Sequence, residues 1–213
     1  VDVPDPVPGP GELLVRVEAA GINFIDTYFR SGLYPRELPY VAGAEGAGVI
    51  EQVGPSVTEF CAGQRVAWAT GTGTYAEKAV VPSHVAVAVP DGVPADKAAS
   101  TLLQGMTAHY LLESTYPAAE GDSILVHAGA GGVGLILTQL AAAKGVRVIT
   151  TVSTDEKEAI SRAAGAAEVL RYDDDLATQV RSLTGGEGVH AVYDGVGAAT
   201  FERSLASLRI RGT

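Results

Sequence analysis

A glycine-rich turn between two apolar segments constrains the fold more than any other feature of the sequence. Residues 127–145 read HAGAGGVGLILTQLAAAKG and follow the apolar run SILV. The turn contains the pattern G-x-G-x-x-G, whose first glycine makes a tight turn, whose second lets the backbone approach a pyrophosphate, and whose third allows a helix to pack closely on a strand. The residues expected to line such a loop are Gly129, Gly131, Gly132, Val133 and Gly134. The pattern predicts a dinucleotide-binding loop at the N-terminus of a helix, with a bare turn as the alternative.

Strands and helices alternate from residue 98 to the end of the sequence. Further apolar runs, VRVITTV, AEVLRY and VHAVYDGV, are separated by segments with apolar residues at helical spacing. The predicted helices cover residues 98–115, 134–144, 155–164, 176–183 and 199–208. Because the strands read as nearly unbroken apolar runs, we expect a doubly wound α/β domain with a parallel sheet. The dinucleotide fold has about six strands and we predict four here, so we expect its C-terminal part to be missing from this chain.

The segment before residue 98 has a different pattern of apolar residues. Short β-like runs, LLVRVEAAGI, GAGVIEQVG, QRVAWAT, YAEKAVVP and HVAVAVP, are cut by Gly and Pro. This pattern predicts a compact β barrel with few helices. We therefore divide the chain into domains at residues 1–97 and 98–213.

Composition excludes several classes of partner. The 15 basic and 25 acidic residues give a formal net charge of −10, which argues against binding nucleic acid or anionic lipid. The uncharged stretch between Asp122 and Lys144 has membrane-span length, but its four glycines and polar side chains argue against a span. Cys61 is the single cysteine and has no disulfide partner within the chain, which favours a reducing cytoplasm.

The end of the second predicted strand bears on the choice of dinucleotide. In NAD-binding folds an acidic residue there grips the ribose hydroxyls, whereas this strand ends at Val152 and is followed by Ser153. Ser153 and Lys157 are suited to a 2′-phosphate, which favours NADP. The alternative is that Ser153 forms a capping box with Glu156 and that Lys157 is a solvated helix residue.

Several motifs in order carry a family resemblance. AGINFIDTYFRSGLYP, HAGAGGVGLI, GEGVHAVYDGVG and FERSL resemble the zeta-crystallin-type NADPH:quinone oxidoreductases, a zinc-free branch of the medium-chain dehydrogenase/reductase superfamily. The resemblance implies an N-terminal GroES-like barrel, a Rossmann domain, a cofactor cleft between them and a homodimer. It also implies that the family continues beyond the stretch matching RIRGT, so we expect this chain to be part of a longer polypeptide.

The same superfamily includes zinc-dependent enzymes, and their ligands are not found here. Ala44 in GAEGAG stands where the ligand histidine of G-H-E-x-x-G would be, and GINFID lacks the ligand cysteine. The remaining candidates, Cys61, His84, His109, His127 and His190, have no metal-ligand spacing. Without a Lewis acid, we expect an acceptor that takes hydride unaided, such as a quinone or an activated enone.

The resemblance implies roles for particular residues. Tyr28 and Tyr34 would line the substrate cleft with Asn23 near the nicotinamide, and Tyr34 would donate a hydrogen bond to a developing phenolate; a packed surface aromatic is the alternative. The cofactor would contact a further set: Thr107, Tyr110, Ser153, Lys157, Tyr172, Gly195 and Gly197. For Tyr110 a place in the apolar helical stripe is equally open, and His127 is expected to be a satisfied core histidine.

The sequence therefore predicts NADPH-dependent quinone reduction without zinc. An enone or enoyl-thioester reductase with the same cofactor site is the enzymatic alternative. A non-catalytic, crystallin-like NADPH-binding protein is the alternative from another class.

Overall fold

The computed structural model describes residues 3–173 and 175–213. The chain divides into two compact units, Val1–Leu103 and Gln104–Thr213. The predicted boundary after residue 97 falls inside a short helix whose Ala98, with the following Ala99, is buried in the first unit. Because these two alanines pack against the strands of the first unit, that unit continues beyond residue 97, where the sequence pattern changes from strand-like to helical.

The first unit is built on an antiparallel sheet. Its strands are β1 (Glu12–Ala20), β2 (Gly46–Val53), β3 (Arg65–Trp68), β4 (Lys78–Pro82) and β5 (Val87–Ala88). Their order in the sheet is β4-β1-β2-β3-β5. The main face of the sheet forms the core of the unit: Leu13, Val15, Ile50, Val66, Trp68, Ala79 and Val81. Part of the opposite face is also covered, because Ala47 and Ala67 pack against Ala98 and Ala99. The predicted strands are thus found, with shorter ends.

The first unit also contains two helices, α1 (Phe24–Ser31), which lies outside the predicted elements, and α2 (Ala95–Ala98), which overlaps the predicted helix 98–115 only at Ala98. Asn23 is the N-cap of α1, the Asp26 carboxylate accepts from its N–H at 3.0 Å, and Gly32 ends the helix in a left-handed conformation. Local capping therefore defines α1, although none of its residues is fully buried.

The second unit alternates strands and helices. Its elements are α3 (Leu102–Tyr110, beginning at the junction), a π-helix (Leu111–Thr115), β6 (Ser123–Val126), α4 (Gly132–Ala143), β7 (Arg147–Val152), α5 (Asp155–Ala163), β8 (Glu168–Arg171), α6 (Leu176–Leu183), β9 (Ala191–Tyr193) and α7 (Phe201–Ser207). The four strands are parallel, in the order β8-β7-β6-β9. This is the predicted parallel sheet.

Apolar side chains bury both faces of this sheet. On one face Ile124 and Val148 pack with Leu137 of α4, and on the other Leu125 and Ile149 pack with α6. Helix α4 begins at Gly132, two residues before the predicted start, and the predicted helix 98–115 is divided into α2, α3 and the π-helix. No helix among the described residues is long and apolar enough to cross a membrane.

Candidate functional site

The glycine loop lies where the strand order of the parallel sheet reverses. The chain proceeds from β6 to β7 and β8 on one side, and then crosses to β9 on the other side of β6. Ligands of open α/β sheets bind at the carboxyl ends of the strands beside such a switch point. Residues 127–131, which follow β6, and 194–197, which follow β9, both lie at that position.

Three glycines of the loop are subject to different steric constraints. A Cβ on Gly129 would lie 2.4 Å from the Cβ of Thr150, and one on Gly134 would lie 2.4 Å from the Ala128 carbonyl oxygen, so both positions exclude a side chain. A Cβ on Gly131 would meet only Ala128, with its carbonyl oxygen at 3.1 Å and its Cβ at 3.9 Å. Gly129 and Gly134 are therefore required by packing, whereas the face of Gly131 is open to a ligand.

The N-terminus of α4 is suited to an anion. Gly131 is its N-cap residue and has no side chain that could cap the helix, and the first turn contains no acidic residue. The first N–H groups of a helix have no partner within the helix, and the helix dipole adds positive potential there. Gly132 and Val133 are the first two residues of this helix. A Cβ on Gly132 would contact the Gln104 side chain.

Ser153 and Lys157 meet at the carboxyl end of β7. The Lys157 ammonium donates to the Ser153 hydroxyl at 3.1 Å, and both side chains are exposed. The N-cap of α5 is Thr154, whose hydroxyl accepts from the Lys157 N–H at 3.3 Å. The capping box of Ser153 with Glu156 is therefore wrong, because the helix begins one residue later than that motif requires. The Ser153 hydroxyl therefore does not cap the helix and accepts a hydrogen bond from Lys157 instead.

Tyr172 joins the end of β8 to the glycine loop. Its hydroxyl accepts from the Ala128 N–H at 2.7 Å, and its ring stacks on His127 with centroids 5.8 Å apart. Ala128 has a φ of 52°, a left-handed conformation that is uncommon for a residue other than glycine. The Tyr172 hydroxyl thus stabilises a strained position in the loop.

His127 occupies a buried network directly below the loop. Its Nε2 lies 2.9 Å from the Ser204 hydroxyl, and its Nδ1 lies 2.8 Å from the Thr151 hydroxyl. Because Ser204 donates its proton to Asp194 at 2.6 Å, Nε2 must donate to Ser204 and Nδ1 must accept from Thr151. The expected core histidine is found, with both ring nitrogens satisfied.

Asp194 organises the loop that contains Gly195 and Gly197. Its carboxylate accepts from the Val196 and Gly197 N–H groups and from the Thr200 hydroxyl, as well as from Ser204. Burial alone would raise the pKa of Asp194, but these hydrogen bonds outweigh it and lower the pKa to about 2. Sequence reasoning found no carboxylate near His127, yet the Asp194 Oδ2 lies 3.9 Å from Nε2 because β6 and β9 are neighbours.

The unfolding free energy is expected to depend on the pH through His127. Burial lowers the pKa of this histidine below its ordinary 6.5, while Asp194 opposes the shift. Since the unfolded chain then binds the proton more tightly, this contribution to stability is complete above about pH 6.5 and is lost as the pH falls towards the lower folded pKa. Thermal unfolding of the wild type and of His127→Gln between pH 7.5 and about 5 measures it. Equal pH dependence in the two proteins would contradict the buried neutral histidine.

In the first unit, Asn23 is held rigidly at the N-terminus of α1. Its side-chain amide donates to Glu45 at 2.8 Å, and the other oxygen of Glu45 accepts from the Leu103 N–H at 2.9 Å. Glu45 is fully buried and was missed by sequence reasoning, because GAEGAG reads as a loop without a core position. The amide orientation of Asn23 is therefore fixed by a buried carboxylate.

An open depression of 530 Å³ borders Asn23. Its lining residues are Ala20, Ile22, Asn23, Asp26, Thr27, Arg30, Ala42 and Tyr75. The Tyr75 hydroxyl donates to the Asp26 carboxylate at 2.7 Å; burial and this hydrogen bond raise the pKa of Tyr75 to about 12. Tyr75 therefore stays protonated at neutral pH. It is a second residue that the sequence did not single out.

Tyr28 and Tyr34 lie elsewhere on α1 and the turn after it, outside the lining of this depression. Their rings meet edge to face at 5.3 Å, with Phe24 and Phe29 packed on either side. Tyr34 is 45% exposed. The structure brings these two tyrosines together, and their role with Asn23 stays a prediction.

Thr107 and Tyr110 both lie on α3. Thr107 is half-buried, whereas Tyr110 is 51% exposed at the end of the helix, so its ring is not part of the apolar core. The described residues contain no group of three or more His, Cys, Asp or Glu side chains that could hold a metal ion.

Comparisons with known proteins agree with this geometry. Residues 9–91 match the alcohol dehydrogenase GroES-like domain, and residues 132–213 match the zinc-binding dehydrogenase family. A quinone oxidoreductase of Pseudomonas aeruginosa is 49% identical over 208 residues, covering 96% of this chain and 64% of that protein. A mycobacterial protein solved in complex with NADPH is 60% identical, with a TM-score of 0.96 over 100% of this chain and 67% of that one. The chain belongs to the quinone oxidoreductase family of the medium-chain dehydrogenases/reductases.

A further relative has a different name. A Burkholderia 2-haloacrylate reductase is 43% identical over 213 residues, covering 96% of this chain and 64% of that protein. The chain spans 60% to 64% of the length of the curated relatives it matches. Membership of the quinone oxidoreductase family confirms the predicted α/β class, with a GroES-like domain and a parallel-sheet dinucleotide-binding domain.

Proposed function

We propose that this protein reduces a quinone with NADPH. The observation that carries the proposal is the open face of Gly131, the N-cap residue of α4, beside the switch point of the sheet. Titration of the protein with NADPH and NADH, followed by fluorescence, tests the cofactor. Turnover on a simple benzoquinone tests the acceptor, and failure to bind either dinucleotide would overturn the proposal.

The residues of the second unit fit a dinucleotide phosphate. A Cβ at Gly131 would fill the space that a pyrophosphate needs, and the helix N-terminus supplies N–H donors without a competing acid. The Lys157 ammonium adds a cation beside Ser153, suited to a 2′-phosphate. The residues that would hold NADPH are Thr107, Tyr110, Gly129, Gly131, Gly132, Val133, Gly134, Ser153, Lys157, Tyr172, Gly195 and Gly197.

When bound, NADPH would supply the hydride. The chain itself would bind, orient and protonate. Tyr34 would donate a hydrogen bond to the oxygen that becomes negative as a quinone is reduced, and Tyr28 would pack beside it. Asn23, whose amide is fixed by Glu45, would orient the reacting groups. A quinone oxygen needs no metal to accept charge, which agrees with Ala44 at the position of a ligand histidine in zinc-dependent relatives.

Lys157→Ala is expected to weaken NADPH binding about tenfold and to leave NADH binding within about twofold, because only NADPH carries the phosphate that the ammonium would contact. Dissociation constants from the fluorescence titration measure the ratio. Equal weakening of both cofactors would rule out the 2′-phosphate assignment.

Tyr34→Phe is expected to lower quinone turnover about tenfold with little change in NADPH affinity, because the phenol would act on the acceptor and not on the cofactor. Steady-state rates with the titration as control test this. Unchanged turnover would make Tyr34 a packed surface aromatic.

A second candidate function is reduction of an activated carbon–carbon double bond. Its support is the similarity to the 2-haloacrylate reductase, whose name describes an alkene conjugated to a carboxylate. Turnover on 2-chloroacrylate and an alkenal, compared with benzoquinone, distinguishes the two. NADPH binding without turnover on any of these acceptors would favour the non-catalytic alternative.

Homodimer formation and a cytoplasmic location belong to the same proposal. The family resemblance supports the dimer, and the single cysteine agrees with a reducing compartment. Sedimentation of the purified protein tests the dimer, and fractionation of cells tests the location.

A further inference from the structure

The first turn of α5 presents an electrostatic problem for a phosphate at Lys157. It contains three carboxylates, Asp155, Glu156 and Glu158, within two residues of the lysine. Uncompensated, these negative charges would repel the 2′-phosphate that Ser153 and Lys157 are proposed to bind. Two of the three carboxylates are compensated by one arginine.

Arg171 provides this compensation from the neighbouring strand. It is the last residue of β8 and pairs in register with Val152, the last residue of β7. Its Nη2 lies 2.6 Å from the Asp155 Oδ1 and 2.7 Å from the Glu158 Oε2. The strand register thus brings the guanidinium to the edge of the sheet where Ser153 begins the next loop.

A second arginine on α5 pairs with only one of these carboxylates. Arg162 lies four residues after Glu158 and bonds to its Oε1 at 2.9 Å. Among the ion pairs of the described residues, Asp155 occurs only with Arg171. The two arginines therefore share Glu158 and differ in Asp155, the carboxylate at the start of the helix.

We propose that Arg171 determines the preference for NADPH over NADH, by neutralising Asp155 and Glu158 beside the Ser153–Lys157 pair. The inference rests on the proposed function and adds a residue that acts through its neighbours. Arg171 is a positioning residue: it holds two carboxylates in ion pairs and so leaves the positive charge of Lys157 for the phosphate. NADH lacks this phosphate and is insensitive to the compensation.

The test compares dissociation constants for NADPH and NADH in the wild type, Arg171→Gln and the matched control Arg162→Gln. Each variant removes one cation and one partner of Glu158, but only Arg171→Gln releases Asp155. We expect Arg171→Gln to weaken NADPH roughly fivefold at low salt, to leave NADH within about twofold, and to lose most of this effect near 0.5 M salt, since the charges are partly exposed. Arg162→Gln should change the NADPH constant by less than about twofold.

Two further variants separate charge from folding. Asp155→Asn in the Arg171→Gln background should restore most of the NADPH affinity, because it removes the released carboxylate. Asp155→Asn alone, at a side chain that is 98% exposed, should fold and raise the NADPH-to-NADH preference or leave it unchanged. A lower preference in this single variant would overturn the proposal even if Arg171→Gln does not fold.

The outcomes distinguish this inference from the function on which it rests. A wild type that prefers NADPH, loses the preference in Lys157→Ala and responds equally to Arg171→Gln and Arg162→Gln would overturn the role of Arg171 alone. A wild type that binds neither dinucleotide, or does not prefer NADPH, would overturn both.

Discussion

Gly131→Val is expected to abolish binding of NADPH and NADH alike while the second unit stays folded. The residue has φ −80° and ψ 169°, a conformation that valine adopts readily, and its Cβ would require only a small shift of the Ala128 carbonyl. The added methyl groups would occupy the space through which a pyrophosphate approaches the N–H groups of α4. We expect a loss of at least about a hundredfold in affinity, since several charge-assisted hydrogen bonds would be blocked together.

Gly129→Val is the matched comparison for this prediction. Its Cβ would overlap Thr150 at 2.4 Å in the sheet below the loop, so this variant should lose folding stability as well as binding. Circular dichroism melts and the fluorescence titration separate the two effects. A Gly131→Val protein that melts like the wild type and still binds NADPH would reduce the loop to a structural turn.

Asp194→Ala is expected to lower the free energy of unfolding by roughly 2–4 kcal/mol, because it leaves the Ser204 hydroxyl and two backbone N–H groups without the carboxylate acceptor, while the Thr200 hydroxyl keeps only the Gly197 carbonyl. Ser204 also links Asp194 to His127, so the loss extends to the strand below the glycine loop. Denaturant unfolding measures this change.

Asp194→Asn is the control for shape and size. It keeps an oxygen for the Val196 and Gly197 N–H groups but presents an amide to the Ser204 hydroxyl, so we expect about half the loss. The network would adapt if His127 moved its proton from Nε2 to Nδ1, which nitrogen chemical shifts would detect. A loss below about 1 kcal/mol in Asp194→Ala would argue against a structural role for the carboxylate.

The sequence predicted those parts of the fold that local patterns determine. Unbroken apolar runs identified β6 and β7, and the glycine pattern located the start of α4 to within two residues. Helix α1 was missed because its segment, FIDTYFRS, is only eight residues long and lies among strand-like runs, although it is strongly amphipathic and Asn23, Asp26 and Gly32 provided the capping signals. The amphipathic pattern and the capping residues both favour a helix, so local signals were sufficient to predict α1.

Interactions between distant residues could not be predicted in this way. Asp194 is 67 positions from His127, and Glu45 is 22 from Asn23; each pair depends on which strands are neighbours or on where a loop returns. The interpretation of Ser153 as a cap failed for a local reason, since Thr154, another favourable N-cap residue, lies one position later and caps the helix. Candidate site residues were therefore found where a motif carried them, and their buried supports were found only in the structure.

The capping of α5 by Thr154 has a consequence for Ser153, the residue before it. Because Thr154 caps the helix, the side chain at position 153 is not needed to stabilise the helix terminus. Substitutions at position 153 are therefore not expected to disturb α5. A substitution of Ser153 should therefore change the free energy of unfolding little. Substitutions of Gly129 and Gly134 would overlap neighbouring atoms. The proposed phosphate-binding loop is therefore sterically constrained, whereas the proposed contact with the 2′-phosphate lies on a side chain that the helix terminus does not require.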